Sequence, residues 1–232
     1  MTPPIDVDDP STWPAQVFAK VSELAENCRG EEYTNDLRIP LEDEKSFRQL
    51  FAGHLLRAYH YTNLLPHERP MILSSGLRPL SAQLLSDRIE AARTAGEVSD
   101  VDAERLHAAH VFAVGEEGCR KGKICLVLSK RHFEREPYGF LRLLTTWGGE
   151  GIYASSRAVP LREQLMKMGK PSVVVALIDL GRLNSDDLFF PPLQNVFAGS
   201  LLGLEDACKA ETHYSAPIPR EHIVNIEDIQ LP

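Results

Sequence analysis

Short apolar or β-branched runs divided by turn formers set the tightest limit on what this chain can fold into. They are AYHYT (58–62), KICLVLS (123–129), GIYAS (151–155), SVVVALIDL (172–180), KAETHYS (209–215) and IVNIEDIQL (223–231). Each has strand length and residues that suit a pleated, half-buried surface. Parallel strands need a crossover of about a dozen residues or more, usually a helix. Few of these runs are separated by one. They therefore predict an α+β fold with about six strands in a largely antiparallel sheet, split or continuous, with flanking helices. Helical periodicity marks 15–28 through Val17, Val21 and Leu24, and 44–57 through Phe47, Leu50, Phe51 and Leu55. Further helices are predicted over 82–95 and 100–110, and a short helical turn carrying Met71, Ile72 and Leu73 stops at Gly76.

A chain of 232 residues can bury a real core, and the pattern divides it into an N-terminal helical extension, 1–45, and one larger domain, 46–232. No apolar run approaches bilayer length, and the acidic, proline-rich start MTPPIDVDDPSTWPAQ lacks the basic and apolar sections of a secretory signal. A cytoplasmic protein with no membrane partner is the expectation. Cys28, Cys119, Cys125 and Cys208 form no C-x-x-C pair and have no histidine at zinc-finger spacing, so no metal is expected. G-x-S-x-G, G-x-x-x-x-G-K-[ST] and G-x-G-x-x-G are all missing, which argues against serine hydrolases of that type, P-loop enzymes and Rossmann dehydrogenases. The net charge of −8 gives no general attraction to nucleic acid. Between Gly118 and Leu143, however, Arg120, Lys121, Lys123, Lys130, Arg131, Arg135 and Arg142 stand against Glu134 and Glu136, and seven minus two leaves +5. Such a run is a solvated face or a phosphate-binding one.

Three stretches are oddly polar for strands. In AYHYT, His60 and Thr62 fall on one face of the strand. In TTWGGEGIYASSRA, Gly148, Gly149 and Gly151 permit close backbone approach, and Tyr153 and Ser155 alternate out of the strand that follows. Trp147 there suits core packing over stacking on a base or ring, and Glu150 suits a loop charge over a second carboxylate near the pocket. In KAETHYSAPIPREHI, Glu211 sits inside a short strand before a Pro-Ile-Pro turn. It is either an edge residue facing solvent or a placed carboxylate.

In this order, H-Y-T with I-L-S-S-G-L, G-I-Y-A-S, and E-T-H-Y-S-A-P-I-P-R-E-H-I resemble the ADP-ribosyltransferase superfamily, which includes diphtheria-type toxins, poly-ADP-ribose polymerases and DNA-targeting toxins of toxin–antitoxin pairs. The resemblance runs from about His54 to the C-terminus. It implies that NAD is consumed as a substrate and ADP-ribose is transferred to a macromolecular acceptor, protein or nucleic acid, with an antitoxin or inhibitor as a further partner. It makes Glu211 the catalytic carboxylate that holds the ribose 2′-hydroxyl, and His60 a donor to a ribose oxygen. Tyr61 or its backbone would lie beside the nicotinamide amide, Thr62 would add polar contacts, Tyr153 would stack on the nicotinamide ring, and Ser155 or Ser156 would support the pocket. Tyr61 stands where the family often has glycine. Removal of an RNA 2′-phosphate by the same NAD chemistry, and a catalytically silent module that binds a nucleotide or protein, are the alternatives.

Overall fold

The computed structural model describes residues 3–39, 42–182 and 187–231, the side chains of 42–45 and 188 excepted. Helix α1 (Ala15–Glu26) buries the predicted stripe of Val17, Val21 and Leu24. Helix α2 (Glu42–Gln49) ends earlier than the periodicity predicts. Gly53, with φ of 77°, turns the chain, and residues 55–57 open strand β1 (Leu55–Leu64) instead of closing a helix. With β2 (Ile124–Val127), β3 (Lys170–Asp179), β4 (Leu188–Phe190), β5 (Glu211–Tyr214) and β6 (Ile223–Asp228), it forms one antiparallel six-stranded sheet in the order β4-β5-β2-β1-β3-β6. The fold is α+β, as the short runs require.

One predicted strand is a helix. GIYAS lies in a helical turn, Glu150–Tyr153, followed by a 3-10 run, Ser156–Leu161, and the sixth strand is β4. Tyr153 and Ser155 therefore do not alternate out of a strand. The glycines show why the turn is favoured: a Cβ on Gly148 would stand 2.5 Å from Ile152 Cδ1, and one on Gly151 would stand 2.8 Å from Leu85 Cδ2. The close approach they permit is to the protein's own core.

The chain gathers into two compact units. The first comprises residues up to Tyr59, Cys125–Arg135 and Ala176–Ser215. Its core is aromatic: the rings of Trp13, Phe47 and Phe51 lie 4.9, 5.8 and 5.2 Å from that of Phe197, on the Leu193–Leu202 helix. Asn195 Nδ2 donates to the carbonyls of Thr34 and Leu37, and Asp206 accepts from the Thr34 amide and hydroxyl at 2.6–2.9 Å. These bonds fix a segment that has little regular structure of its own.

The second unit comprises His60–Ile124, Glu136–Val175 and Ala216–Pro232. Helices α3 (Glu68–Ser75), α4 (Ala82–Thr94) and α5 (Asp100–Ala109) lie in it, and its core joins Leu65, Leu85, Ile89, Leu106, Trp147 and Ile152. Ser81 caps α4 and Ser99 caps α5, each accepting a backbone N–H with its hydroxyl. Inside this apolar core sits a charge. Glu68 is 5% exposed and accepts from Arg88 Nε at 2.6 Å, the Leu65 amide at 2.8 Å and Trp147 Nε1 at 3.0 Å. The expectation of a core tryptophan at 147 holds, at 0% exposure.

Candidate functional site

Strand β1 brings the first set of candidates into the second unit. Tyr61 is 5% exposed and packs its ring against Phe140, centroids 4.7 Å apart, while Thr62 is buried and His60 half-buried. The bulk of Tyr61 is thus taken up by the core. Asn63, next along the strand, donates to the Leu144 carbonyl at 2.8 Å. Phe140 and Leu144 belong to one segment, the 3-10 turn Pro137–Phe140 and the helix Leu141–Thr145. Arg142, between them, lays its guanidinium over the Tyr153 ring, 5.0 Å from the centroid. Tyr61 and Tyr153 are therefore linked through a single short segment of the same unit.

Tyr153 itself is 7% exposed and closes the Glu150–Tyr153 turn, its amide donating to the Gly149 carbonyl at 3.0 Å. Ser155 is buried and accepts from the Arg157 amide at 3.3 Å, as a cap of the following 3-10 run. Ser156 gives its amide and hydroxyl to Glu116 at 2.9 and 2.7 Å. Both serines already have a structural partner. Glu150 is not a bare loop charge, because Arg120 grips its carboxylate with both Nε and Nη2. Lys121 lies 3.7 Å from Glu117, and Arg135 lies 3.8 Å from Glu205 and also donates to its carbonyl. Three cations of the basic segment are thus matched by carboxylates.

Glu211 belongs to the first unit. It opens β5, opposite Phe190, and its side chain is exposed. Strand β5 lies between β4 and β2, so Glu211 is not an edge residue. The next residue, Thr212, is fully buried, with its Oγ1 lacking a hydrogen-bond partner. After β5 the chain passes into the second unit, where Ile218 exchanges amide–carbonyl bonds of 2.9 Å with Leu77. Gly76, at the end of α3, has φ of 81°, and a Cβ there would stand 2.0 Å from the Ile218 carbonyl oxygen. The S-S-G-L and A-P-I-P patterns are thereby locked together, and only glycine fits at the junction.

Two groups of polar residues escaped the sequence reading. Glu68, Arg88 and Trp147 form the buried cluster described above; an acid in the first turn of a helix is ordinary, and nothing local marks it as buried. On facing helices, Ser86 Oγ lies 3.4 Å from His107 Nδ1, and His107 Nε2 lies 2.8 Å from Glu90 Oε1. The order hydroxyl, imidazole, carboxylate has the form of a nucleophile and its base. Ser86 is, however, inside α4, where backbone N–H groups serve the helix and do not converge on an oxyanion. The three cross-link α4 and α5. Among the described residues, no three His, Cys, Asp or Glu side chains are grouped to hold a metal ion, and no helix is long and apolar enough to cross a membrane.

No protein-family model, no curated protein and no solved structure matches this chain.

Proposed function

We propose that this protein is an NAD-dependent ADP-ribosyltransferase acting on a macromolecular acceptor, with an ADP-ribosyltransferase-like split of its sheet. The observation that carries the reading is Glu211, an exposed carboxylate on an inner strand of the sheet. The junction of Gly76 and Leu77 with Ile218 supports it, because it ties the helix after H-Y-T to the turn after E-T-H-Y.

In this reaction the bond from ribose C1′ to the nicotinamide nitrogen breaks, and nicotinamide leaves with the bonding pair. An acceptor nucleophile then forms the new bond to C1′ and gives up its proton. Positive charge builds on the ribose in between, and a fixed carboxylate stabilises it there. Glu211 takes that part. His60 suits a donor to ribose oxygen without a second negative charge, and the Tyr153 ring offers a flat face to the pyridinium. The RNA 2′-phosphotransferase alternative has no observation of its own in its favour; Tyr61 at the position where the family often has glycine is the one feature that favours a silent module.

The test is nicotinamide release from NAD by the purified protein, with Glu211→Gln beside it. Glutamine keeps size and removes charge, so folding should persist while turnover falls at least about a hundredfold, the loss of roughly 3 kcal/mol typical of one such group. Glu221→Gln and Glu227→Gln are the controls. Near-normal turnover in Glu211→Gln, or equal damage in the controls, makes Glu211 a surface charge.

A further inference from the structure

Arg142 sits in an uncommon position for a surface arginine. The segment that carries it is fixed on both sides: Phe140 is 6% exposed against Tyr61, and Leu144 is fully buried with its carbonyl held by Asn63. Arg142 itself is exposed, and its guanidinium lies over the Tyr153 ring. A fixed base therefore holds an exposed cation over an aromatic ring that is otherwise almost wholly buried. The ring cannot stack on a ligand until the guanidinium leaves.

We infer that Arg142 is a latch on the nicotinamide platform, closed over Tyr153 in the free protein and displaced by NAD. The inference rests on the reading of Tyr153 proposed above. The two occupants compete for the same property of the ring. A tyrosine face attracts cations through its quadrupole, and the nicotinamide of NAD is a pyridinium cation whereas released nicotinamide is neutral. The incoming cation replaces the guanidinium and also repels it. Once the glycosidic bond breaks, the neutral product loses that advantage and Arg142 returns to the ring, which favours product departure. The device regulates occupancy without any movement of the backbone.

The size of the effect follows from population arithmetic. A cation over a ring is worth about 0.5–1 kcal/mol when partly exposed, so the open form is a minority and apparent affinity is reduced by its fraction. Removing the guanidinium should tighten NAD binding by about three- to sixfold. The experiment measures NAD binding by calorimetry for the parent and Arg142→Ala, and, without NAD, nitration of Tyr153 by tetranitromethane relative to Tyr138, which is 74% exposed and serves as the internal reference. The latch predicts faster Tyr153 nitration together with tighter NAD binding in Arg142→Ala, and behaviour close to the parent in Arg142→Lys. Normal NAD binding by both proteins with unchanged nitration overturns the latch alone, and weaker NAD binding in Arg142→Ala overturns it by making Arg142 a ligand contact. Faster nitration with no NAD binding by either protein overturns the platform reading, and the latch's role falls with it.

Discussion

A carboxylate buried among leucines survives only if its surroundings replace water. Burial alone would raise the Glu68 carboxyl, but the Arg88 charge and hydrogen bond, with the Leu65 amide and Trp147 indole, outweigh it and hold the group below its ordinary range. A depressed folded value means that the stabilisation is present above the unfolded value of about 4.3 and is lost as pH falls through the folded value. Glu68→Gln should leave the Trp147 bond possible but strand Arg88, whose side chain is 21% exposed. Breaking a fully buried pair by removing one partner costs about 3–5 kcal/mol, and the partial exposure of Arg88 places the expected loss nearer 2–3 kcal/mol. Urea unfolding at neutral pH and near pH 4 checks both parts. The variant should be weaker at neutral pH, and the gap should narrow in acid. An equal gap at both values would show that shape, not charge, is what Glu68 supplies.

At the scale of elements, what the sequence made legible depended on how local the cause was. The caps Ser81 and Ser99, the stop at Gly76 and the long β-branched run of β3 are written in adjacent residues, and these elements fall where the pattern puts them. GIYAS misleads because Ile152 and Tyr153 suit a strand as well as a buried helical turn, and the deciding contacts, Gly151 against Leu85 and Gly148 against Ile152, become visible only with the tertiary packing. Strand β4 is three residues long, too short for alternation to register. The site is uneven in the same way: strand placement of His60, Tyr61, Thr62 and Glu211 is legible, while the Arg142–Tyr153 contact depends on two segments meeting. One short element also carries a pH prediction. The helical turn Val111–Val114 is capped by His110, whose Nδ1 accepts the Ala113 amide at 3.2 Å, which requires the unprotonated nitrogen. Burial, and next the charge of His107, lower the His110 value. For a basic group held neutral by folding, stability is complete above the unfolded value of about 6.5 and declines as pH drops below it. His110→Asn keeps an acceptor that does not titrate, so it should flatten the fall in stability between pH 7.5 and 5.5 by up to about 1 kcal/mol, the ordinary worth of a cap. Identical slopes for parent and variant in denaturant titrations would remove His110 from the acid response.

For the molecule as a whole, the decisive consequence of the proposed function is that its substrate must stabilise the folded state. A ligand that binds only the native form at a hundred times its dissociation constant adds about 2.7 kcal/mol. For a chain of 232 residues, each kcal/mol corresponds to about 2–4 °C, so NAD should raise the melting temperature by about 5–11 °C. A chain with two compact units can melt in more than one step, and calorimetry follows each transition separately. The Tyr153 ring assigns part of that shift to one contact. If it stacks on nicotinamide, Tyr153→Ala forfeits about 0.5–1.5 kcal/mol and the shift shrinks by about a fifth to a half at the same NAD concentration. ADP-ribose, which lacks the nicotinamide, separates loss of the stack from general damage. Its own shift should be the same in parent and variant, since nothing in it reaches the ring. If NAD leaves the melting temperature unchanged at millimolar concentration, the chain does not take this substrate; if Tyr153→Ala reduces the ADP-ribose shift as much as the NAD shift, the ring is part of the core of the second unit and not a platform, and its 7% exposure beneath Arg142 is then simply packing.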